Sequence, residues 1–296
     1  MRLKKWLAAG LIGMMALGAM GCGSDSGKSS GGAAPAAKSI SGSITASGSS
    51  ALLPLAKLGA EQFKAKNPDV SLTINGGGSG TGLKQVFDGT VDIGNSDVDA
   101  ETKLSKEQAA SLKDHKVAVV TMATVVNKAV GDTVKSLTKD QLKQIFTAEV
   151  TNWSAVGGPD LDITLISRPA TSGTRALFEK FALDGVKEAT NKSLETDDSG
   201  ALIQTIADNP GAIGYVALSY LGKSDKVTPV GIDGVQPTLE NTYNGTYPIW
   251  GYEHMYTKGE PKEAAKAYLD FIVSDEFGKQ VESLGYGVTS KMKVSR

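Results

Sequence analysis

From Ile44 onward the apolar positions switch repeatedly between two periods. Ile44-Thr45-Ala46 reads as a short strand running into small polar residues, and Leu52, Leu55, Ala56, Gly59 and Phe63 then recur at helical spacing until Asn67-Pro68 stops the pattern. Val70, Leu72 and Ile74 alternate with Ser71, Thr73 and Asn75, which predicts a strand with one buried face. Leu83, Val86 and Phe87 predict a second short helix, and Val91-Asp92-Ile93-Gly94 a further strand. The first third of the folded chain therefore reads βαβαβ.

The alternation continues. Residues 105–113 read as helical, and 116–126, with Val117, Val119, Val120, Val125 and Val126, as a long buried strand able to pass from one domain to another. Residues 138–147 carry capping residues and place Leu142, Ile145 and Phe146 at helical spacing, before Thr151-Asn152-Trp153 and Gly157-Gly158-Pro159 form a loop. A strand at 163–166 leads to a helix opened by Thr171-Ser172-Gly173-Thr174, with Ala176, Leu177, Phe178, Phe181 and Leu183 on its buried side. A helix at 201–208, a strand at 212–216 and a strand running from Pro248 toward Tyr256 follow. Two terminal helices close the chain, Pro261 suiting the first position of the first and Ala265, Leu269 and Ile272 forming its apolar stripe. Strands and helices alternating throughout predict an α/β fold.

The first residues do not belong to that pattern. Arg2, Lys4 and Lys5 precede an uncharged run from Trp6 to Met20, too short for a bilayer span, which predicts a signal peptide over residues 1–21. Ala19-Met20-Gly21-Cys22 resembles a bacterial lipobox with alanine in place of the usual leucine, making Cys22 the expected lipidated residue. As the single cysteine, it also excludes an intramolecular disulfide. Residues 22–38, nearly all Gly, Ser, Ala, Lys and Pro, read as a flexible linker. Removing 1–21 takes the formal charge from -1 to -4, because three cationic residues and no acidic ones leave. Mild acidity argues against nucleic acid as a partner. An anion site in such a protein has to be built from a few aimed groups.

Four turns supply such groups: Ala46-Ser47-Gly48-Ser49-Ser50, Gly76-Gly77-Gly78-Ser79-Gly80-Thr81-Gly82, Asn95-Ser96-Asp97, and Arg168-Pro169-Ala170-Thr171-Ser172-Gly173-Thr174-Arg175. Three stand where a helix should begin, and a helix start offers unpaired N–H groups and a partial positive charge, with glycine allowing close approach. Each alone is also what an ordinary helix cap looks like. Together they follow strands at the sheet end where open α/β folds bind ligands. The glycine turn matches neither the Gly-Lys-Ser/Thr nucleotide loop nor G-x-G-x-x-G. Arg168 supplies the charge, while Arg175 either supports the anion or pairs with Glu179. Asp97, an acceptor only when ionised, would repel an anion that carries no proton, so the pairing points to phosphate rather than sulfate.

These residues carry a family resemblance. Ser47-Gly48-Ser49-Ser50, Gly78-Ser79-Gly80-Thr81-Gly82, Val91 to Asp97, the 137–158 segment with Ile145-Phe146 and Thr151-Asn152-Trp153, Ser172-Gly173-Thr174-Arg175, and Gly211-Ala212-Ile213-Gly214-Tyr215 resemble the phosphate-binding proteins of the bacterial phosphate-specific ABC transporter. The resemblance spans nearly everything after the linker. It implies a two-lobed periplasmic-binding-protein fold of type II, each lobe a mixed β-sheet flanked by helices with the ligand in the cleft between them. Residues 39–125 and 252–296 would form lobe 1 and 126–251 lobe 2, with crossings near Val125-Val126-Asn127 and between Tyr247 and Tyr252. It further implies phosphate contacts from Ser50, the Ala51 amide, Ser79, Asp97, Arg168, Ser172, the Gly173 amide and Thr174. Some relatives carry an acidic residue two places after the arginine; here that position is Ala170, leaving Asp97 to bear selectivity more alone. Tyr247, Trp250 and Tyr252 are expected to pack the hinge.

The expected protein is thus a monomeric, lipid-anchored, extracytoplasmic binding protein that delivers phosphate to the permease and ATPase subunits of an ABC transporter, with no cofactor, metal or catalytic residue. The nearest alternative keeps the fold and takes sulfate, molybdate or a phosphorylated small molecule as the ligand, and a surface adhesin or a sensor without transport is a further class. A secreted phosphatase is the alternative in another class, but His115 and His254 are the only histidines and no His/Asp cluster has metal-ligand spacing.

Overall fold

The computed structural model describes residues 39–296 apart from 191, 192 and 223. The leader, Cys22 and the linker lie outside the described residues. In chain order the elements are β1 (Gly42–Gly48), α1 (Leu53–Lys66), β2 (Val70–Asn75), α2 (Ser79–Asp88), β3 (Ile93–Ser96), α3 (Lys106–Ala110), β4 (Leu112–Asn127), α4 (Lys128–Gly131), β5 (Ser136–Leu137) and α5 (Lys139–Phe146). There follow β6 (Thr164–Ser167), α6 (Gly173–Phe181), β7 (Ser193–Glu195), α7 (Ser199–Asp208), β8 (Ala212–Ala217), β9 (Val227–Ile232), α8 (Leu239–Tyr243), β10 (Trp250–Lys258), α9 (Glu263–Ile272) and α10 (Asp275–Val281).

The strands run in the order β2-β1-β3-β10-β4-β8-β6-β7, with β9 and β5 branching off β4. The predicted βαβαβ unit is present, β1 lying between β2 and β3 and parallel to both. β10 returns antiparallel between β3 and β4. The long β4 does what its valine run suggested and passes from one core to another. Up to Thr121 it pairs with β10, and from Met122 it pairs with β8 and β9.

Two hydrophobic cores lie on either side of that switch. One gathers Ile44, Leu52, Phe63, Ile93, Met255, Tyr268 and Phe277; the other gathers Met122, Val125, Phe146, Trp153, Phe178, Tyr215 and Ile249. Tyr247 and Trp250 are buried where the chain returns, the Tyr247 hydroxyl donating to the Met122 carbonyl at 2.8 Å and Trp250 meeting Tyr252 edge to face. The predicted packing role of these rings is what the structure has. Fixing the strand switch with a buried aromatic and a backbone hydrogen bond keeps the two cores in a defined relation.

Three boundaries differ from the sequence pattern. The helix expected over 105–113 is confined to α3, because a capping box between Ser105 and Gln108 starts it and residues from Leu112 onward are drawn into the ladder with β10. β4 accordingly begins four residues earlier than 116, the alternation of Leu112 to His115 being hidden by its charged members. Pro261 precedes Lys262, the N-cap of α9, and so is not the first helical residue.

Candidate functional site

The four small polar turns converge. Gly48 ends β1, and the Ser49 hydroxyl accepts from the Leu52 amide at 2.9 Å, folding the chain into α1. Ser50 follows with its hydroxyl free of any capping duty. It receives Arg168 Nη2 at 2.7 Å and donates to the Asp197 carbonyl at 2.9 Å. The N-cap position of α1 is Leu52, so the ordinary-cap reading of this turn does not apply to Ser50.

Ser79 is likewise inside α2 rather than at its cap, which is Gly78. Its hydroxyl accepts from the Asp97 amide at 3.0 Å, tying the glycine-rich turn to the end of β3. Asp97 is almost fully buried and does not cap a helix, the following short turn starting from Asp99. Its Oδ1 accepts from the Ser49 hydroxyl and its Oδ2 from the Thr174 hydroxyl at 2.9 Å. Two neutral donors hold the carboxylate in place without neutralising it.

Ser172 is the N-cap of α6, its hydroxyl taking the Arg175 amide at 3.2 Å, while the Ser172 carbonyl takes the Ala176 amide at 3.4 Å. The Gly173 and Thr174 amides, the other donors of that first turn, have no acceptor among the described residues. Helix starts leave such groups pointing outward, which suits an anion. The backbone of α6 can approach only because residue 173 is glycine: a Cβ there would stand 2.2 Å from Ser79 Oγ.

Arg168 decides the electrostatics. Its side chain is fully buried, yet it makes no ion pair among the described residues. The guanidinium donates to Ser50 Oγ, the Asp197 carbonyl and, at 3.3 Å, Ser199 Oγ, while Nε has no partner among the described residues. A buried cation without a counter-charge is costly unless an anion completes it. Arg175, left open by the sequence, is an ion-pair residue. Its Nε lies 3.0 Å from Glu179 and 2.9 Å from Glu188, and its Nη1 donates to the Arg168 carbonyl at 2.8 Å.

The two halves of the site also grip each other directly. The Gly80 amide donates to the Thr171 carbonyl at 2.9 Å, Lys103 Nζ to the Ala170 carbonyl at 2.7 Å, and Tyr220 OH to the Ser50 carbonyl at 2.8 Å. Ser50, Ala51, Ser79 and Asp97 come from the β1, α2 and β3 side, whereas Arg168, Ser172, Gly173 and Thr174 come from β6 and α6. Every side chain of the predicted set is therefore in one place, and Ala51 is fully buried beside it.

A family of solute-binding proteins shares this architecture. A PBP superfamily domain matches residues 33–276. The phosphate-binding protein PstS of Bacillus subtilis is 49% identical over 284 residues, covering 96% of this chain and 93% of that protein. The chain belongs to the phosphate-binding protein family. Among solved structures, one from Clostridium perfringens, described as a phosphate ABC transporter substrate-binding protein with bound phosphate, is 35% identical with a TM-score of 0.76 and covers 86% of this chain and 100% of that one. An ABC-type phosphate transport receptor from Vibrio cholerae is 26% identical with a TM-score of 0.66, covering 82% and 99%. The family fold is two-lobed, and its members are binding proteins rather than enzymes.

Sequence reasoning missed three contributors to the site. Asp197 and Ser199 reach Arg168 from the start of α7. Asp198-Ser199-Gly200 repeats the small-polar and glycine signature of the other turns, so the signal was present. Glu253 on β10, fully buried next to Asp97, had no such signal. Folding also brings Asp99, Asp114 and His254 within 4.8 Å of one another, a cluster invisible in their spacing. Asp114 takes His254 Nδ1 at 2.8 Å and Asp99 lies 3.8 Å from Nε2, so carboxylates bracket the ring from opposite sides.

Proposed function

We propose that this chain captures inorganic phosphate at the Arg168 and Asp97 site and passes it to the membrane permease and ATPase subunits of an ABC importer. The observation that carries this reading is the fully buried, unpaired guanidinium of Arg168 facing helix-start donors, with an anionic acceptor held opposite. The ligand contacts are those of Ser50, the Ala51 amide, Ser79, Asp97, Arg168, Ser172, the Gly173 amide and Thr174. Lobe 1 comprises residues 39–125 and 252–296, and lobe 2 residues 126–251. A phosphate that retains a proton donates it to Asp97, and sulfate has none to give. The protein works as a monomer outside the cytoplasm, lipid-anchored through Cys22.

Each hydrogen bond to a charged group contributes roughly 1.5–3 kcal/mol and each helix start about 0.3–1 kcal/mol. After desolvation and ordering costs, a micromolar or tighter affinity, about -8 kcal/mol, follows without a metal. Calorimetry against phosphate and sulfate tests the reading. Phosphate is expected to bind while excess sulfate barely competes, and Asp97→Asn to lose that discrimination; equal affinity for both anions in the wild type would refute it. Arg168→Ala should weaken every oxyanion, by roughly ten- to a hundredfold for phosphate.

A further inference from the structure

Glu253 carries a carboxyl at this site that phosphate capture has not used. It lies on β10 with its side chain fully buried, and neither carboxyl oxygen has a hydrogen-bond partner among the described residues if the group is ionised. A buried carboxylate with no donor is among the costliest arrangements a core can hold. Its neighbours explain what it holds instead.

β10 and β3 are antiparallel, with Met255 opposite Asn95 and His254 opposite Ser96 as the last pair of the ladder, and Glu253 and Asp97 are the residues that follow on each chain. Both side chains are buried there, and Asp97 is the charged group that acts on Glu253. On the other flank β4 presents Ala118, and from the C-terminal segment the fully buried Tyr286 packs near, its hydroxyl donating to the Ala51 carbonyl. Tyr286 is the titratable neighbour. No cation stands between the carboxyls among the described residues. Burial, and next the Asp97 charge, push the Glu253 carboxyl well above the usual carboxylate range. A buried carboxyl beside another group's negative charge keeps its proton.

We infer that Glu253 is a positioning residue of the anion site, holding a proton that it donates in a hydrogen bond to Asp97 and so orienting the Asp97 side chain as an acceptor. The assignment of protons follows from the donors already present. Asp97 is supplied by the Ser49 and Thr174 hydroxyls, whereas Glu253 has no donor but Asp97 could serve it, so the proton rests on Glu253. A carboxylate offers about four lone-pair directions. Ser49, Thr174 and Glu253 take three, and one remains for a proton that the bound anion must bring. An anion with no proton meets an acceptor that has no hydrogen to offer, and the neutral acid behind it adds no second charge to repel the ligand.

The inference rests on the phosphate reading for its consequence but not for its first test. In the ligand-free wild-type protein, infrared spectroscopy should show the carbonyl stretch of a buried protonated carboxylic acid that resists exchange to carboxylate across neutral pH. Glu253→Gln should remove that band. Absence of the band, or its survival in Glu253→Gln, overturns the inference whatever the ligand proves to be. Glu253→Met, which fills the space without a donor, should weaken phosphate about tenfold, and Glu253→Gln, a neutral donor of similar shape, should recover most of that loss. Equal losses in both variants, or a Gln variant that binds phosphate tighter than wild type because a buried charge was removed, would reject it. Circular dichroism melts of both variants confirm that they are folded when titrated. If the wild type fails to bind phosphate while the acid band is present, the functional reading fails and the proton assignment stands.

Discussion

At the scale of single residues, the site depends on what glycine, serine and two charged groups can do in a space without water. Gly173 shows how narrow the tolerance is. Its Cα faces Ser79 and Asp97 so closely that a methyl group would stand 2.2 Å from one and 3.0 Å from the Cβ of the other. Gly173→Ala is therefore expected to hold the start of α6 away from Ser79 and Asp97. Overpacking of this kind costs about 1–3 kcal/mol, which calorimetry should read as a phosphate affinity roughly ten- to a hundredfold weaker. Fold and secondary structure should be unchanged, because the clash lies between the start of α6 and the α2 turn and leaves both hydrophobic cores intact. Arg168 and Asp97 were legible from sequence because a cation and an acid sat in turns of the same small-residue type. Glu253 was not, since a glutamate between Tyr252 and His254 in a β-rich run looks like any exposed strand position, and only the antiparallel return of β10 beside β3 brings it to the end of β3, near Asp97.

At the scale of elements, local signals succeeded where the chain spells out its own boundaries. The capping box of α5 is a case: the Thr138 hydroxyl takes the Gln141 amide at 3.1 Å and the Gln141 side chain takes the Thr138 amide at 2.9 Å. Thr138→Ala should lower stability by about 1 kcal/mol, measured as a shift of the urea midpoint without a change of slope, with ligand affinity unaffected. The same logic located α1, α2, α6 and α7 and the three strands of the opening βαβαβ unit. It failed where pairing overrides composition. β9 contains Pro229 and lies in a polar stretch, and it is a strand because it finds β4 on one side and β5 on the other. The charged start of β4 is held by β10 in the same way, Asp114 pairing with Tyr256 and Lys113 with Thr257.

At the scale of the whole molecule, binding energy and shape are coupled. On the proposed reading the anion is held by residues from both the β1–β3 side and the β6–α6 side, so a ligand would stabilise the arrangement in which Thr174 meets Asp97 and Arg168 meets Ser50. A ligand that binds only the folded state adds about 2.7 kcal/mol at a hundred times its dissociation constant. In a domain of this size that amounts to roughly 5–10 °C in melting temperature. A Cys22→Ser variant should show the full phosphate-dependent rise while leaving the membrane fraction, and sulfate should raise neither protein's melting point. Loss of the rise in that variant would mean that the anchor and the binding unit are not independent.

The amino-acid sequence by itself determined the alternation of helices and strands, the turn chemistry and the presence of one cation and one acid among small polar residues, because periodicity, capping and glycine freedom act over a few neighbours. Tertiary structure alone decided which of those turns meet and how the charges are balanced. That Ser49 and Thr174 both serve Asp97, that Arg168 is buried without an ion-pair partner among the described residues, and that Glu253 lies near Asp97 all depend on strands distant in sequence lying side by side. Burial then gives each of those meetings its energy, since charges and hydrogen bonds removed from water cannot find another partner.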